Sequence, residues 1–238
     1  MLHPQHFCHE KETTALDFIF MLTRQDRTIA DCLEVMDLIA PAKLKHIGFK
    51  DVGVPPAVLH KLADRIRAAG AITYMEVVST TPEACLNSAK VAVELGIDRL
   101  LGGTDVDGIL PIIKGTKMEY YPFCGFPSGH PTKLGGRPDQ VEAHCRRFIE
   151  KGCAGTDLLA YRATAAEPLD LVKAARRGLG AGKPLIVAGS VSTAKQIDDL
   201  RRAGADAFTI GSAAFDGSYA PDRGHLLSQL AAIQADCA

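Results

Sequence analysis

The chain has 238 residues, 47% of them hydrophobic and 23% charged, a globular balance able to fill one large core. Its formal net charge of −1 supplies no basic field, which excludes nucleic acid and anionic membrane surfaces as expected partners. Seven cysteines (Cys8, Cys32, Cys85, Cys124, Cys145, Cys153 and Cys237) occur without CxxC spacing, which argues against a disulfide framework or a structural zinc site and for a reducing, cytoplasmic setting.

Met1 to Glu12 contain no apolar run of signal-peptide length, and no stretch approaches the ~20 apolar residues of a membrane span. From there the chain alternates strand-like and helix-like segments. Strands are predicted at 17–22, 45–50, 72–78, 98–102, 118–123, 157–162, 184–188 and 207–211. Ile29, Leu33 and Met36, and then Leu59, Leu62 and Ile66, repeat at helical spacing. Thr81-Pro82-Glu83 reads as an N-cap with proline at the first helical position, a short helix is expected at 106–113, and Ser192 or Thr193 is expected to cap the helix starting near Ala194.

A recurrence ties these pieces together. Five times a glycine precedes a short apolar strand: Gly70, Gly96, Gly155, Gly182 and Gly204. Each suits the left-handed residue that closes a helix. Eight βα units in a length near the roughly 250 residues of such folds predict a single α/β domain over 1–238, a closed (β/α)8 TIM barrel. The longest irregular segment, Phe123 to Pro138, follows the fifth strand, and loops of that length are usually functional.

Function in such barrels sits at the carboxyl ends of the strands. Going along the chain, Arg24 follows the first strand and is a candidate ligand contact. Lys50 ends the second strand, and Glu76 lies in the otherwise apolar third, where a carboxylate needs a partner that Lys50 can provide. Such a pair suits proton transfer beside a carbonyl. Asp105 after the fourth strand is a candidate catalytic group or a helix cap. His130 in the long loop can serve as an acid or base, and Arg162, ending the sixth strand, can clamp a carboxylate or second phosphate. Cys124 reads as a small apolar residue. Asp98, Asp157 and Asp206, each two residues after a recurring glycine, read as turn supports at the amino-terminal rim.

The last two strands open into Gly189-Ser190-Val191-Ser192 and Gly211-Ser212-Ala213. Paired glycine-serine turns before helices, where this fold places phosphate, predict a phosphate site at Gly189, Ser190, Gly211 and Ser212. The stretch from Pro184 to Phe215, with VAGSVSTAKQIDDLRRAGADAFTIGSAAFDG, resembles the ribulose-phosphate-binding barrels and among them the histidine-biosynthesis isomerase and cyclase barrels. The resemblance implies phosphorylated substrates and metal-free isomerase, epimerase, decarboxylase or lyase chemistry. It does not extend to the catalytic aspartates those histidine enzymes carry after strands one and five, where this chain has Thr23-Arg24-Gln25-Asp26 and Phe123-Cys124-Gly125-Phe126.

The sequence thus predicts an isomerase or epimerase acting on a small phosphorylated, sugar-like substrate, needing neither metal nor nicotinamide cofactor. A Schiff-base aldolase or decarboxylating lyase using Lys50, and a non-catalytic phosphate sensor or partner-activating barrel, are the alternatives. The number of copies per assembly, homo-oligomers included, stays open.

Overall fold

A computed structural model of the protein describes residues 16–78 and 81–237. Eight parallel strands form one sheet: β1 Asp17–Met21, β2 His46–Lys50, β3 Ile72–Val77, β4 Arg99–Gly102, β5 Glu119–Tyr121, β6 Thr156–Leu158, β7 Leu185–Val187 and β8 Ala207–Ile210. The strand order is β6-β7-β8-β1-β2-β3-β4-β5. The ends of this sheet meet at a seam between β5 and β6. There a parallel bridge joins Phe123 to Asp157, and Asp157 N–H donates to Pro122 O at 3.0 Å and Cys124 N–H to Asp157 O at 3.2 Å. Ala154 N–H also donates to Tyr120 O at 3.0 Å, but the seam has one bridged pair, whereas between β2 and β3 five residues pair in register from His46↔Ile72 to Lys50↔Glu76.

Helices cover the outside: α1 Cys32–Ile39, α2 Pro56–Ala68, α3 Pro82–Glu94, α4 Val106–Ile113, α5 Pro138–Glu150, α6 Pro168–Leu179, α7 Ala194–Ala203, the one-turn α8 Ser212–Phe215, and α9 Leu226–Asp236. The expected spacing holds in α2, where Leu59, Leu62 and Ile66 are buried. Ile29 is the exception: it precedes α1, on a backbone bond to Leu22 O. Thr81 caps α3 by accepting from Ala84 N–H, and Thr193 caps α7 by accepting from Gln196 N–H. Gln196 turns back to accept from Ser192 N–H, one residue before the cap, at 2.8 Å.

Two hydrophobic layers result. Strand and helix side chains pack outside the sheet, while Ile19, Met21, Tyr74, Leu101, Tyr121, Ile186 and Ala207 fill the barrel axis. Polar groups cross the axis at the amino-terminal ends of the strands. Arg99 Nη1 donates to Tyr74 Oη at 2.6 Å, Arg99 Nε pairs with Glu119 at 2.9 Å, and Tyr121 Oη donates to Glu119 at 2.7 Å. Among the described residues these groups plug the amino-terminal end of the barrel axis.

Two local expectations change. The sixth strand ends at Leu158, and Ala160–Arg162 forms a 3₁₀ turn, so Arg162 lies beyond the strand rather than at its end. The segment after β5 is not irregular: Phe126–Ser128 pairs antiparallel with Lys133–Gly135, and this hairpin is tied to Ala163 by a bridge at Leu134. Phe126 on it is exposed. No helix among the described residues is long and apolar enough to cross a membrane.

Candidate active site

The carboxyl end of the barrel holds a cavity of about 260 Å³ whose lining includes Asp26, Lys50, Glu76, Arg162, Gly189, Ser190, Gly211 and Ser212. Residues separated by most of the chain therefore face one space.

At its base lies a chain of charges. Lys50 Nζ sits 3.0 Å from Glu76 Oε1 and 2.8 Å from Asp26 Oδ1, with the three side chains 7%, 4% and 2% exposed. The Lys50–Glu76 pair is the one expected, and it arises because β2 and β3 run in register with these residues directly opposed. Asp26 was missed as a site residue. After β1 the chain makes a tight hairpin, Thr23–Arg24 against Arg27–Thr28, with Gln25 (φ 49°) and Asp26 (φ 59°) at its two central positions. Both are left-handed, as a type I′ turn requires, and aspartate tolerates that region better than most residues. Thr28 Oγ1 then accepts from Lys50 N–H at 2.9 Å and donates to Lys50 O at 2.8 Å, which clamps the hairpin onto the end of β2. The clamp carries Asp26 to the Lys50 ammonium.

Arg162 completes the cluster. Its Nη1 and Nη2 reach Asp26 Oδ2 and Oδ1 at 2.6 and 2.8 Å, a two-point grip that planar guanidinium favours. The guanidinium expected to hold a ligand carboxylate thus holds one from its own chain. Thr132 N–H, from the β5–α5 hairpin, also donates to Asp26 Oδ2 at 3.1 Å, so that hairpin is docked on the site. Burial alone would raise the Asp26 carboxyl, but Arg162 and Lys50 overcome it and hold the group well below the usual carboxylate range. Burial would likewise lower the Lys50 ammonium, but Glu76 and Asp26 reverse that and keep it above its ordinary value. Lys50 is therefore a cation.

The glycine-serine loops face this cluster across the cavity. Gly189 has φ 82°, and a Cβ there would lie 3.0 Å from Arg162 Cγ, so the glycine makes room for the arginine reaching Asp26. Gly211 is needed for packing against the end of β1, since its Cβ would meet Thr23 Oγ1 at 2.7 Å and Thr23 O at 2.8 Å. Ser190 is left-handed at φ 71° and lines the cavity. Ser212 and Ala213 begin α8, so their N–H groups lack a carbonyl one turn earlier. Ser190→Gly is expected to raise folding stability by about 1 kcal/mol, read by urea denaturation, because glycine adopts this backbone without strain.

The remaining candidates lie elsewhere. Asp105 accepts from Gly108 N–H at 3.0 Å as the cap of α4 and is not part of the cavity wall. His130 is exposed at the hairpin tip, away from the cavity lining. Arg24 lies over the Phe215 ring and pairs with Asp216 at 3.4 Å. Cys124 is wholly buried.

Asp157 overturns its expected place. Asp98 does support a turn, accepting from Thr73 N–H at 2.8 Å, as does Asp206 from Leu185 N–H at 2.7 Å. Asp157 instead is the second residue of β6, fully buried, with both carboxyl oxygens lacking a hydrogen-bond partner. The recurring helix-closing glycine before β6 is Gly152, not Gly155. Gly152 (φ 97°) is the left-handed residue that closes α5, matching Gly96 (φ 63°) and Gly204 (φ 92°), whereas Gly155 has no positive φ. Counted from Gly152, the position equivalent to Asp98 and Asp206 is Ala154.

No protein-family model and no curated protein matches the sequence. Solved structures do. Orotidine 5′-phosphate decarboxylase from Pyrococcus horikoshii OT3 superposes with a TM-score of 0.61 at 15% identity, over 92% of this chain and 98% of that one. The likeness establishes a shared (β/α)8 fold. A cube-shaped, porous protein cage designed by fusing symmetric oligomeric domains matches at TM-score 0.61 and 13% identity, over 94% of this chain and 74% of that one. The Amycolatopsis orientalis BexX/CysO complex matches at TM-score 0.57 and 20% identity, over 93% and 89%.

Proposed function

We propose that the chain is an enzyme acting on a small phosphorylated, carbohydrate-like substrate by acid/base chemistry, with isomerisation or epimerisation as the reaction. The observation that carries this reading is one cavity bounded on one side by the Gly189-Ser190 and Gly211-Ser212 loops and on the other by Lys50 and Glu76. A phosphate accepts hydrogen bonds from backbone N–H groups and serine hydroxyls of the two loops. The rest of the substrate then reaches Lys50 and Glu76. Glu76 removes a proton from carbon beside a carbonyl, and the Lys50 ammonium stabilises the oxyanion that develops. Asp26 and Arg162 fix the direction of Lys50 so that its charge is already oriented when the oxyanion forms.

The resemblance of the Pro184–Phe215 stretch to phosphate-binding barrels supports the ligand class, as does a structural neighbour named for a 5′-phosphate. A second reading, decarboxylation, is favoured by that neighbour's name: loss of CO2 leaves a carbanion that the Lys50 ammonium can protonate. The Schiff-base aldolase reading is weakened, since a lysine held above its ordinary value by two carboxylates offers no free amine.

Titration with inorganic phosphate, followed by 31P NMR, tests the site. Saturable binding that Ser212→Asp abolishes supports the reading, and absence of binding to the unaltered protein ends it. Once a turned-over sugar phosphate is found, Glu76→Gln is expected to lower kcat about 10²–10⁴-fold with phosphate affinity kept. Solvent deuterium entering the product without CO2 release separates isomerase from decarboxylase.

A further inference from the structure

Among the described residues, four buried side-chain atoms have no hydrogen-bond partner, and two of them are the carboxyl oxygens of Asp157. Charged and polar groups from several strand ends act on it. Glu76 of β3, Lys50 of β2, Cys124 after β5 and Arg162 after β6 all act on it or feel its charge. Asp157 lies on the seam, its backbone fixed by bonds to Pro122 O and from Cys124 N–H. Its register partner Ile186 belongs to the layer that fills the barrel axis. It is absent from the cavity lining, so it does not meet a ligand directly.

A carboxylate this deep with no formed hydrogen bond, helped only by a weak pull from the Leu158 N–H, is too costly to keep ionised, and Glu76 adds a like charge. Burial first, then Glu76 and Cys124, push the group well above the usual carboxylate range against a weaker pull from Lys50. A protonated Asp157 is a hydrogen-bond donor without an acceptor in the structure, and Glu76, whose charge acts on it, is an acceptor not yet bonded to it. In the structure Glu76 is served by Lys50. When that ammonium turns to a developing oxyanion, Glu76 loses its donor.

We propose that Asp157 is a positioning residue: it stays protonated beneath the Lys50–Glu76 pair and donates its O–H to Glu76 whenever Lys50 engages a ligand. The proposal rests on the reading of Lys50 as the ligand-facing cation. Lys50→Met stands for the engaged state without any ligand, so the outcome is separate from that of the phosphate titration.

Infrared difference spectra of the full chain against Asp157→Asn test it. At neutral pH the unaltered protein should show a carboxylic-acid C=O band that Asp157→Asn lacks. In Lys50→Met this band should move to lower wavenumber, as the acid hydrogen-bonds the freed Glu76. Absence of the band at neutral pH, or a band that does not move, overturns the proposal. Should Lys50→Met fail to fold, Glu76→Gln gives the same decision. Removing the neighbouring negative charge should let the band vanish at lower pH than in the unaltered protein, whereas an unchanged midpoint refutes the coupling. A purely structural Asp157 would leave the band unmoved in Lys50→Met.

Discussion

Asp26→Asn is expected to destabilise the fold at neutral pH by about 3 kcal/mol, measured by urea or guanidinium unfolding, and to abolish turnover. The magnitude follows from what is left behind: Lys50, 7% exposed, loses one of its two carboxylates, and Arg162 loses the group both its Nη atoms hold. Removing one partner of a buried ion pair costs about 3–5 kcal/mol, and the retained Glu76–Lys50 contact puts this case at the lower end. The deficit should depend on pH with a definite sign. The folded-state value of Asp26 lies below its unfolded one, so its contribution is complete above the ordinary carboxylate range. It is lost as pH falls through the folded value. The two proteins should therefore converge in stability in strong acid, and a gap that persists unchanged there would show that the loss is one of shape rather than charge.

Asp157→Asn is expected to have the opposite pH signature. The folded carboxyl is held above its unfolded value, so the native state binds a proton that the unfolded chain releases. Stability is then fully present below the unfolded carboxylate range and falls as pH rises toward the folded value, by about 1.4 kcal/mol per pH unit. Asparagine carries no such proton. Its stability relative to the unaltered protein should rise as pH climbs from the unfolded carboxylate range toward the folded value. Parallel pH profiles for the two proteins would mean that Asp157 is ionised in the fold.

Much of this architecture is legible in the residues. The eight strands are readable because short apolar runs recur between helix-length amphipathic stretches, and the Lys50–Glu76 pair because a lysine and a glutamate in two neighbouring apolar strands require one another. The two missed carboxylates fail for different reasons. Thr23-Arg24-Gln25-Asp26-Arg27-Thr28 carries none of the Asn-Gly or Asp-Gly signals of a tight hairpin, and the turn forms because Thr28 is clamped to a strand distant in sequence. Asp157 was hidden by register: with two glycines, Gly152 and Gly155, before β6, only the backbone angles show which one closes the helix. The glycines of the last two loops show a different limit. Their positions were readable, but Gly189 and Gly211 answer to Arg162 and Thr23, contacts that no local pattern contains.

The thin junction at Phe123 and Asp157 has a kinetic meaning as well. A parallel barrel opened at one place becomes a curved sheet with two raw edges, and the place of fewest rungs is where such breathing begins. Amide protons of Cys124 and Asp157 should accordingly exchange with deuterated water sooner than those of β2 and β3. The hairpin docked on Asp26 through Thr132 spans that junction's flank, reaching Ala163 through Leu134. A ligand that tightens the Asp26 cluster would then slow exchange across the gap, staving the barrel from its open end like a hoop.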